Sequence, residues 1–309
     1  MRTVVLIPCY NEAKTIEKVV SNFKEVLPHA DIYVYDNNST DGSDNLAKGA
    51  GAIVCYEYKQ GKGNVVQSMF RDIDADCYIL VDADDTYPAE AAVEFEELIL
   101  SGKADMVIGD RLSSTYFKEN DRLFHNTGNR LVRNLVNHFF SSNLHDIMTG
   151  MRAFSFNFVK SFPISSKEFE IETEMSVFAL MNNFKIIEIP IQYRDRGEGS
   201  VSKLNTYRDG YKVIMMIFAL IRDLRPIWFF SSISIILLII AGIYFLPILF
   251  QYFNSGYVFR VPTLIVISTV VVIAALIFFV GVILHVLNRQ HAENLQRHLI
   301  LLNELNKRE

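Results

Sequence analysis

Two uninterrupted apolar runs, Ile227 to Phe250 and Pro262 to Leu287, constrain this chain more than any other feature. Each is nearly free of charge and longer than the roughly 20 residues an α-helix needs to cross the hydrocarbon core of a bilayer. A helix this long and apolar all round fits poorly inside an ordinary soluble domain. The runs therefore predict two transmembrane helices. The remainder of the 309 residues leaves room for one soluble domain of about 200 residues.

Before Pro8 the N-terminus offers only Val4, Val5, Leu6 and Ile7, too short an apolar stretch for the core of a secretory signal. Arg222 and Arg225 precede the first span, and Arg289, Arg297, Lys307 and Arg308 follow the second, whereas the connecting loop holds Arg260. By the positive-inside bias, both termini and the soluble domain are expected in the cytoplasm, on a multi-pass protein of the inner (plasma) membrane. The net charge of −5, with no basic stripe interleaved with aromatics, argues against nucleic acid as a partner. Cys9, Cys55 and Cys77 lack metal-type spacing and read as small core residues.

The first half alternates short apolar runs with amphipathic stretches: Thr3 to Ile7, Ala13 to Val26, Asp31 to Tyr35, Asp44 to Gly49. That βαβα rhythm, continued by Cys77 to Val81 and Met106 to Ile108, predicts an α/β domain with a mostly parallel sheet and ligands beyond the carboxyl ends of its strands. The expected organisation is a soluble domain over 1–203, a juxtamembrane amphipathic helix over 204–226, spans at 227–250 and 262–287, and an amphipathic cytoplasmic tail over 288–309. The juxtamembrane helix, with Tyr207, Tyr211, Ile214, Phe218 and Ile221 at helical spacing, suits either a membrane surface or the face of the soluble domain. The tail places Leu295, Leu299, Leu302 and Leu305 on one face, which would suit a neighbouring subunit.

Polar signals gather at the strand ends. Asp82-Ala83-Asp84 follows an uncharged strand, and two carboxylates there suit a hard divalent cation with positions left for phosphate oxygens. Read alone, such an acidic triplet after a strand is more often a solvated turn. Asp36 to Gly42 has the composition of a tight loop, and its leading carboxylate stands where a doubly wound sheet meets a base or ribose. Gly61-Lys62-Gly63-Asn64 opens a helix, so that backbone and ammonium could approach phosphate, without the spacing of a P-loop. Arg111, Arg130, Arg133 and Arg152, then Arg194, Arg196 and Lys203, concentrate basic groups in an otherwise acidic domain, as a site handling phosphates would need. Glu170, Glu172 and Glu174 could supply a base or orient an arginine, although an exposed helix face is the better reading. His125, His138 and His145 form no metal spacing.

Together these motifs resemble the polyprenyl-phosphate glycosyltransferases, the dolichol-phosphate mannose synthase-like branch of the inverting GT-A (Rossmann-like) glycosyltransferases. The pieces stand in the family's order: Pro8-x-Tyr10-Asn11-Glu12, Asp36-x-x-Ser39-x-Asp41-Gly42, Gly61-Lys62-Gly63, Asp82-x-Asp84 with Pro88, Gly109-x-Arg111, Asp146-x-x-Thr149-Gly150-x-Arg152 and Ser202-Lys203. The resemblance implies that Pro8, Tyr10, Glu12 and Asp36, with Asn11, Asn38, Lys62 and Ala83, surround the nucleotide-sugar. It implies that Asp82 and Asp84 serve ribose, diphosphate and a Mg2+ or Mn2+ ion, that Arg196 and Lys203 contact phosphate, and that Arg111 and Arg133, with Arg152 and Ser202, meet the acceptor phosphate. Asp82, Asp84, Arg111 and Arg133 are the expected catalytic group.

Two positions depart from the family pattern. Thr86 stands where a metal-ligating Gln is common, so that water or Asp85 would have to complete the ligand set, and Asn37-Asn38 replaces part of the Asp-Asp pair common among the mannose enzymes. A two-span, acidic chain is similar to the bacterial branch that charges undecaprenyl phosphate, which implies a UDP-sugar donor, glucose first and N-acetylglucosamine or galactose after it, with GDP-mannose as the alternative nucleotide-sugar; a homo-oligomer such as a tetramer is expected. A lipid phosphate monoester, with a second pKa of about 6, is already nucleophilic, so in-line attack with inversion needs no strong base. Processive polysaccharide synthases carry a Gln-x-x-Arg-Trp segment, and the one tryptophan here, Trp228, lies inside the first span. A catalytically silent nucleotide-sugar scaffold is the alternative of another class.

Overall fold

The computed structural model describes residues 1–113, 123–163, 171–194, 218–219, 221–223 and 225–306, without the side chains of 123–129, 295–296, 298 and 302–306. Arg196, Ser202, Lys203, Glu170 and most of the expected juxtamembrane helix lie outside the described residues. The chain divides into two compact units, Met1–Thr206 with Leu299–Glu309, and Tyr207–His298.

The first unit is built on a seven-stranded sheet in the order β3-β2-β1-β4-β6-β5-β7. Its strands are β1 (Thr3–Cys9), β2 (Asp31–Asp36), β3 (Ile53–Tyr56), β4 (Cys77–Leu80), β5 (Met106–Asp110), β6 (Arg152–Ser155) and β7 (Ile186–Pro190). β1 pairs in parallel with both β2 and β4, β2 with β3, and β5 with β7. β6 runs antiparallel between β4 and β5. Val4 to Ile7 and Cys77 to Leu80 are buried residue after residue, as strands covered on both faces must be. The chain leaves β1 toward β2 and β3 and returns to β4 on the other side of β1. The carboxyl ends of β1 and β4 therefore flank a topological switch point, where open α/β sheets bind their ligands.

Helices α1 (Ile16–Val26), α2 (Ser43–Gly49), α3 (Lys62–Asp72) and α4 (Ala91–Leu100) follow the first four strands or their loops, and α5 (Leu123–Phe140), α6 (Phe156–Ser161) and α7 (Ile171–Met181) complete the unit. α1 buries Ile16, Val19, Val20 and Phe23, the i, i+3, i+4, i+7 stripe of a helix lying on a sheet. They join one core with Val5, Ile7, Val34 and Ile79. An aromatic cluster packs around Phe158, whose ring stacks on Phe154 at 4.9 Å and meets Phe162, Phe178 and Phe184 at 5.3 to 5.6 Å.

The second unit contains α8 (Pro226–Ser255) and most of α9 (Val261–Asn306). Both are long and apolar enough to cross a membrane. They pack closely: Ser234 Oγ donates to the Ala274 carbonyl at 2.9 Å, and a Cβ at Gly281 would stand 2.7 Å from Phe230 Cβ. The residues expected as the second span and the start of the tail belong to one helix, because α9 continues without interruption to Asn306. No glycine or proline stands between Asn288 and Asn306 to stop it.

Phe158→Ala removes the centre of the aromatic cluster. It should cost about 3–5 kcal/mol, read as a fall of roughly 10 °C in the melting temperature of the detergent-solubilised chain.

Candidate active site

The loops after β1 and β2 are stitched together by side chains accepting from backbone. Asn11 N donates to Ser39 Oγ at 3.0 Å, Glu12 N to Ser43 Oγ at 2.9 Å, Ala13 N to Asp41 Oδ2 at 2.9 Å, and Thr40 N to Asn11 Oδ1 at 2.8 Å. These residue types are the ones whose short polar chains replace a missing backbone partner in a turn. Asn11 and Asn38 both take positive φ, 55° and 65°, a conformation that asparagine tolerates better than most residues. Burial raises the Asp41 carboxyl, and the donors Ser43 and Ala13 outweigh it and hold its pKa below the ordinary value. Burial in turn pushes the Cys9 thiol up to about 12, which fits its reading as a core residue.

Asp36 ends β2 almost fully buried. Its Oδ2 accepts from Ser39 N at 3.0 Å, while among the described residues its buried Oδ1 has no hydrogen-bond partner. Next to it, Asn37 does work that its turn-like sequence does not reveal. Its amide nitrogen donates to the carbonyls of Glu57 at 2.6 Å and Lys59 at 2.9 Å, and its Oδ1 accepts from Gly61 N at 2.8 Å. One buried side chain thus fixes the whole segment that leads into α3. Asn38 adds a bond from its Nδ2 to the Tyr58 carbonyl at 3.0 Å. Tyr10 is exposed beside the mouth of β1.

The acidic end of β4 is held from three directions. Lys62, the first residue of α3, reaches Asp82 Oδ1 at 2.5 Å and Glu172 Oε1 at 2.6 Å. Burial alone would discharge this ammonium, but the charges of Asp82 and Glu172 outweigh it and raise its pKa above the ordinary lysine value. On the other side Asp82 lies against Gly150, where an added Cβ would stand 2.1 Å from Asp82 Oδ2, and Gly150 N is anchored on the Tyr87 hydroxyl at 2.8 Å. Asp84 Oδ1 accepts from the Thr86 hydroxyl at 2.6 Å, and Thr86 is fully buried. The shorter residue at 86 therefore orients a carboxylate. Asp85, at positive φ, turns its carboxylate to Lys18 on α1.

The arginines divide into different environments. Arg111, just beyond β5, is gripped by Asp146, with Nε to Oδ2 at 2.7 Å and an Nη to Oδ1 at 3.0 Å, and its guanidinium lies 5.4 Å from the ring centre of Tyr193. Tyr193 in turn meets Tyr87 edge-on at 5.4 Å. This connects Arg111 through two aromatic rings to the contact at Gly150. Arg152, expected at the acceptor phosphate, is instead enclosed at 0% exposure. Its donors serve the Thr149 carbonyl at 3.1 Å, the Ile147 carbonyl at 2.5 Å and Ser176 Oγ at 2.9 Å. Burial lowers its pKa to about 10, so it is a cation holding loop 147–149 in shape. Arg133 is half-buried on α5, Arg130 is exposed on the same helix, and the Arg194 amide donates to the Thr86 carbonyl at 3.0 Å.

Glu172 corrects the reading of an exposed helix face, being 4% exposed and turned inward to Lys62. Asp82 and Asp84 offer only oxygen, the donor chemistry of Mg2+ or Mn2+, and such ions are commonly held by one or two carboxylates completed by substrate phosphates and water. Among the described residues no group of three or more His, Cys, Asp or Glu converges as a metal cage. The pair fits a cation shared with a substrate.

Residues 4–162 match a family described as Glycosyl transferase family 2. The glycosyltransferase AglJ of Haloferax volcanii is 32% identical over 231 residues, covering 74% of this chain and 75% of its own. A dolichyl-phosphate hexose transferase of the same organism is 29% identical over 207 residues, covering 67% of this chain and 88% of its own. Among solved structures, glucosyl-3-phosphoglycerate synthase from Mycobacterium tuberculosis, in complex with Mn2+, UDP and glucosyl-3-phosphoglycerate, matches with a TM-score of 0.58 at 17% identity. The match covers 71% of this chain and 78% of that one.

Arg152→Met takes the guanidinium donor from the Thr149 carbonyl and the Ser176 hydroxyl and leaves the Ile147 carbonyl with only the Ser176 hydroxyl at 3.5 Å. The full chain should lose about 3 kcal/mol of stability in chemical denaturation followed by far-UV circular dichroism. An Arg152 that served only an incoming phosphate would leave that curve unmoved.

Proposed function

The chain belongs to glycosyl transferase family 2 and has the GT-A fold, and from that premise we propose that this hexosyltransferase moves a sugar from a UDP-sugar, glucose first, to undecaprenyl phosphate or a similar polyprenyl phosphate. The observation that carries the reading is the gathering of Asp36, Asp82 and Asp84 at the carboxyl ends of β2 and β4, around the switch point, in a chain that also has two helices of membrane-crossing length. The relative named for dolichyl-phosphate hexose transfer supports the acceptor class. The UDP complex of the structural neighbour supports the donor class.

Asp36 Oδ1, buried and without a partner among the described residues, is suited to accept from a base N–H or a ribose hydroxyl. Pro8, Tyr10, Asn11, Glu12, Asn38 and Ala83 are assigned to the same nucleotide-sugar. Asp82 and Asp84 would hold Mg2+ or Mn2+, which when bound neutralises charge on the leaving diphosphate. Thr86 keeps the Asp84 carboxylate in one orientation, and Gly150 closes one side of Asp82. Arg111, pre-oriented by Asp146 and Tyr193, presents a cation to the acceptor phosphate, with Arg133 and Ser202 assigned to the same group and Arg196 and Lys203 to the donor phosphates. The lipid phosphate, with a second pKa of about 6, brings its own nucleophile. One of its oxygens bonds to the anomeric carbon as the bond from that carbon to the diphosphate oxygen breaks, UDP leaves with the electron pair, and the configuration inverts. Positioning and charge stabilisation supply the rate. The reading carries with it a membrane-bound enzyme working from the cytoplasmic face as a homo-oligomer.

The purified chain in detergent, given undecaprenyl phosphate, Mg2+ or Mn2+, and a panel of UDP- and GDP-sugars, should form a lipid-linked sugar, with UDP-glucose the best donor. Asp84→Asn should lower the rate about 100-fold. Lipid product from no donor defeats the proposal, and an Asp84→Asn chain that keeps its cellular role points to the silent scaffold. Gly150→Ala forces Asp82 aside and should lower kcat/KM about 100-fold in the same assay, with the melting temperature falling by roughly 5 °C.

A further inference from the structure

Lys62 occupies a position that its own helix disfavours. It is the first residue of α3, where the helix dipole opposes a positive charge, and no acidic residue stands in that first turn. Two carboxylates hold it there: Asp82 Oδ1 at 2.5 Å and Glu172 Oε1 at 2.6 Å. Side-chain exposures of 10% for Lys62 and 6% for Glu172 make their contact largely dry, so its charges are poorly screened. Glu172 itself sits in the first turn of α7, where a negative charge is favoured. Among the described residues its carboxylate pairs with Lys62, and through Lys62 it is linked to Asp82.

We propose that Glu172 is a positioning residue of the donor site, acting through Lys62 to set how firmly the ammonium holds Asp82 and thereby how readily Asp82 receives a cation carrying a nucleoside diphosphate. This rests on the donor-site reading given above. An ammonium shared between two carboxylates leaves the Asp82 end of the triad with net negative charge, and Glu172 keeps a counter-charge for Lys62 when a divalent cation takes its place at Asp82. With Glu172 neutral, the ammonium pairs with Asp82 alone and competes with the incoming cation. A local carboxylate that contacts no ligand thus raises cation affinity by occupying the competitor.

The test reads Mn2+ binding to the full chain in detergent, with UDP present, by electron paramagnetic resonance, and sets kcat and KM for the nucleotide-sugar beside it. Glu172→Gln keeps an oxygen for Lys62 while removing the charge. Mn2+ affinity should fall about tenfold, with KM rising by a similar factor and kcat changing less. Glu172→Asp, which keeps the charge one methylene back, should recover most of that loss. In a Lys62→Met background the added Glu172→Gln should change Mn2+ affinity by less than about twofold, because the double-mutant cycle removes the intermediary. Unchanged Mn2+ affinity in a folded Glu172→Gln chain overturns the inference, as does an equal loss with Lys62 absent, which would show Glu172 acting on the cation directly. An Asp variant as weak as the Gln variant overturns it too. A wild-type chain that binds no Mn2+ with UDP defeats the donor-site reading and this inference together, whereas normal wild-type binding with an unaffected Glu172→Gln chain defeats this inference alone.

Discussion

A carboxylate taken out of water must be given donors or a cation, and the whole rim of this sheet is arranged around that requirement. Asp36, Asp84, Asp110 and Asp146 are all buried. Asp146 is answered by the fork of Arg111, Asp84 by the Thr86 hydroxyl, and Asp110 by the amides of Leu112 and Ser113. The less buried Asp82 receives Lys62. Each answer recruits a different part of the chain, so satisfying the acids also fixes the loops that bear them. Asp36 is the exception, with one oxygen satisfied by Ser39 N and the other without a partner among the described residues.

The strand order explains how so many distant residues reach one rim. In a purely parallel sheet only the segments that leave strands arrive at the ligand side. β6, antiparallel between β4 and β5, brings the segment leading into a strand to that side as well. This is how Gly150 comes to lie against Asp82, a residue far earlier in the sequence, and how Arg152 is drawn under the loop it supports. The aromatic chain from Arg111 through Tyr193 and Tyr87 to Gly150 follows from the same inversion.

What the sequence made legible was whatever local pattern determines. Buried parallel strands read as unbroken apolar runs, the acidic and Asn/Ser/Asp loops fell at their ends, and the two membrane-length helices stood out by composition. Pairings across the sheet left no local signal. Glu172 alternates with Glu170 and Glu174 around small and apolar residues, a pattern that looks solvated, and nothing near it announces a lysine 110 positions earlier. Arg152 resembled a loop cation because Gly150 and Thr149 precede it, yet it begins a strand whose antiparallel placement buries it. Asn37 carried the composition of a turn, and only the path of the segment after β3 shows how much backbone it holds. The sequence after residue 287 holds no glycine or proline as far as Asn306, in keeping with α9 running on past the apolar run.

The continuity of α9 has a mechanical meaning. At 46 residues and about 1.5 Å of rise per residue, it is a rod of roughly 69 Å, more than twice the roughly 30 Å of a hydrocarbon core. An apolar helix adjusts its tilt to the thickness of the bilayer around it, and a rod of this length without a joint turns each degree of tilt into about 1 Å of displacement at its far end. A helix of this length extends well past any hydrocarbon core it is long enough to cross, which a span ending at the lipid surface would not do.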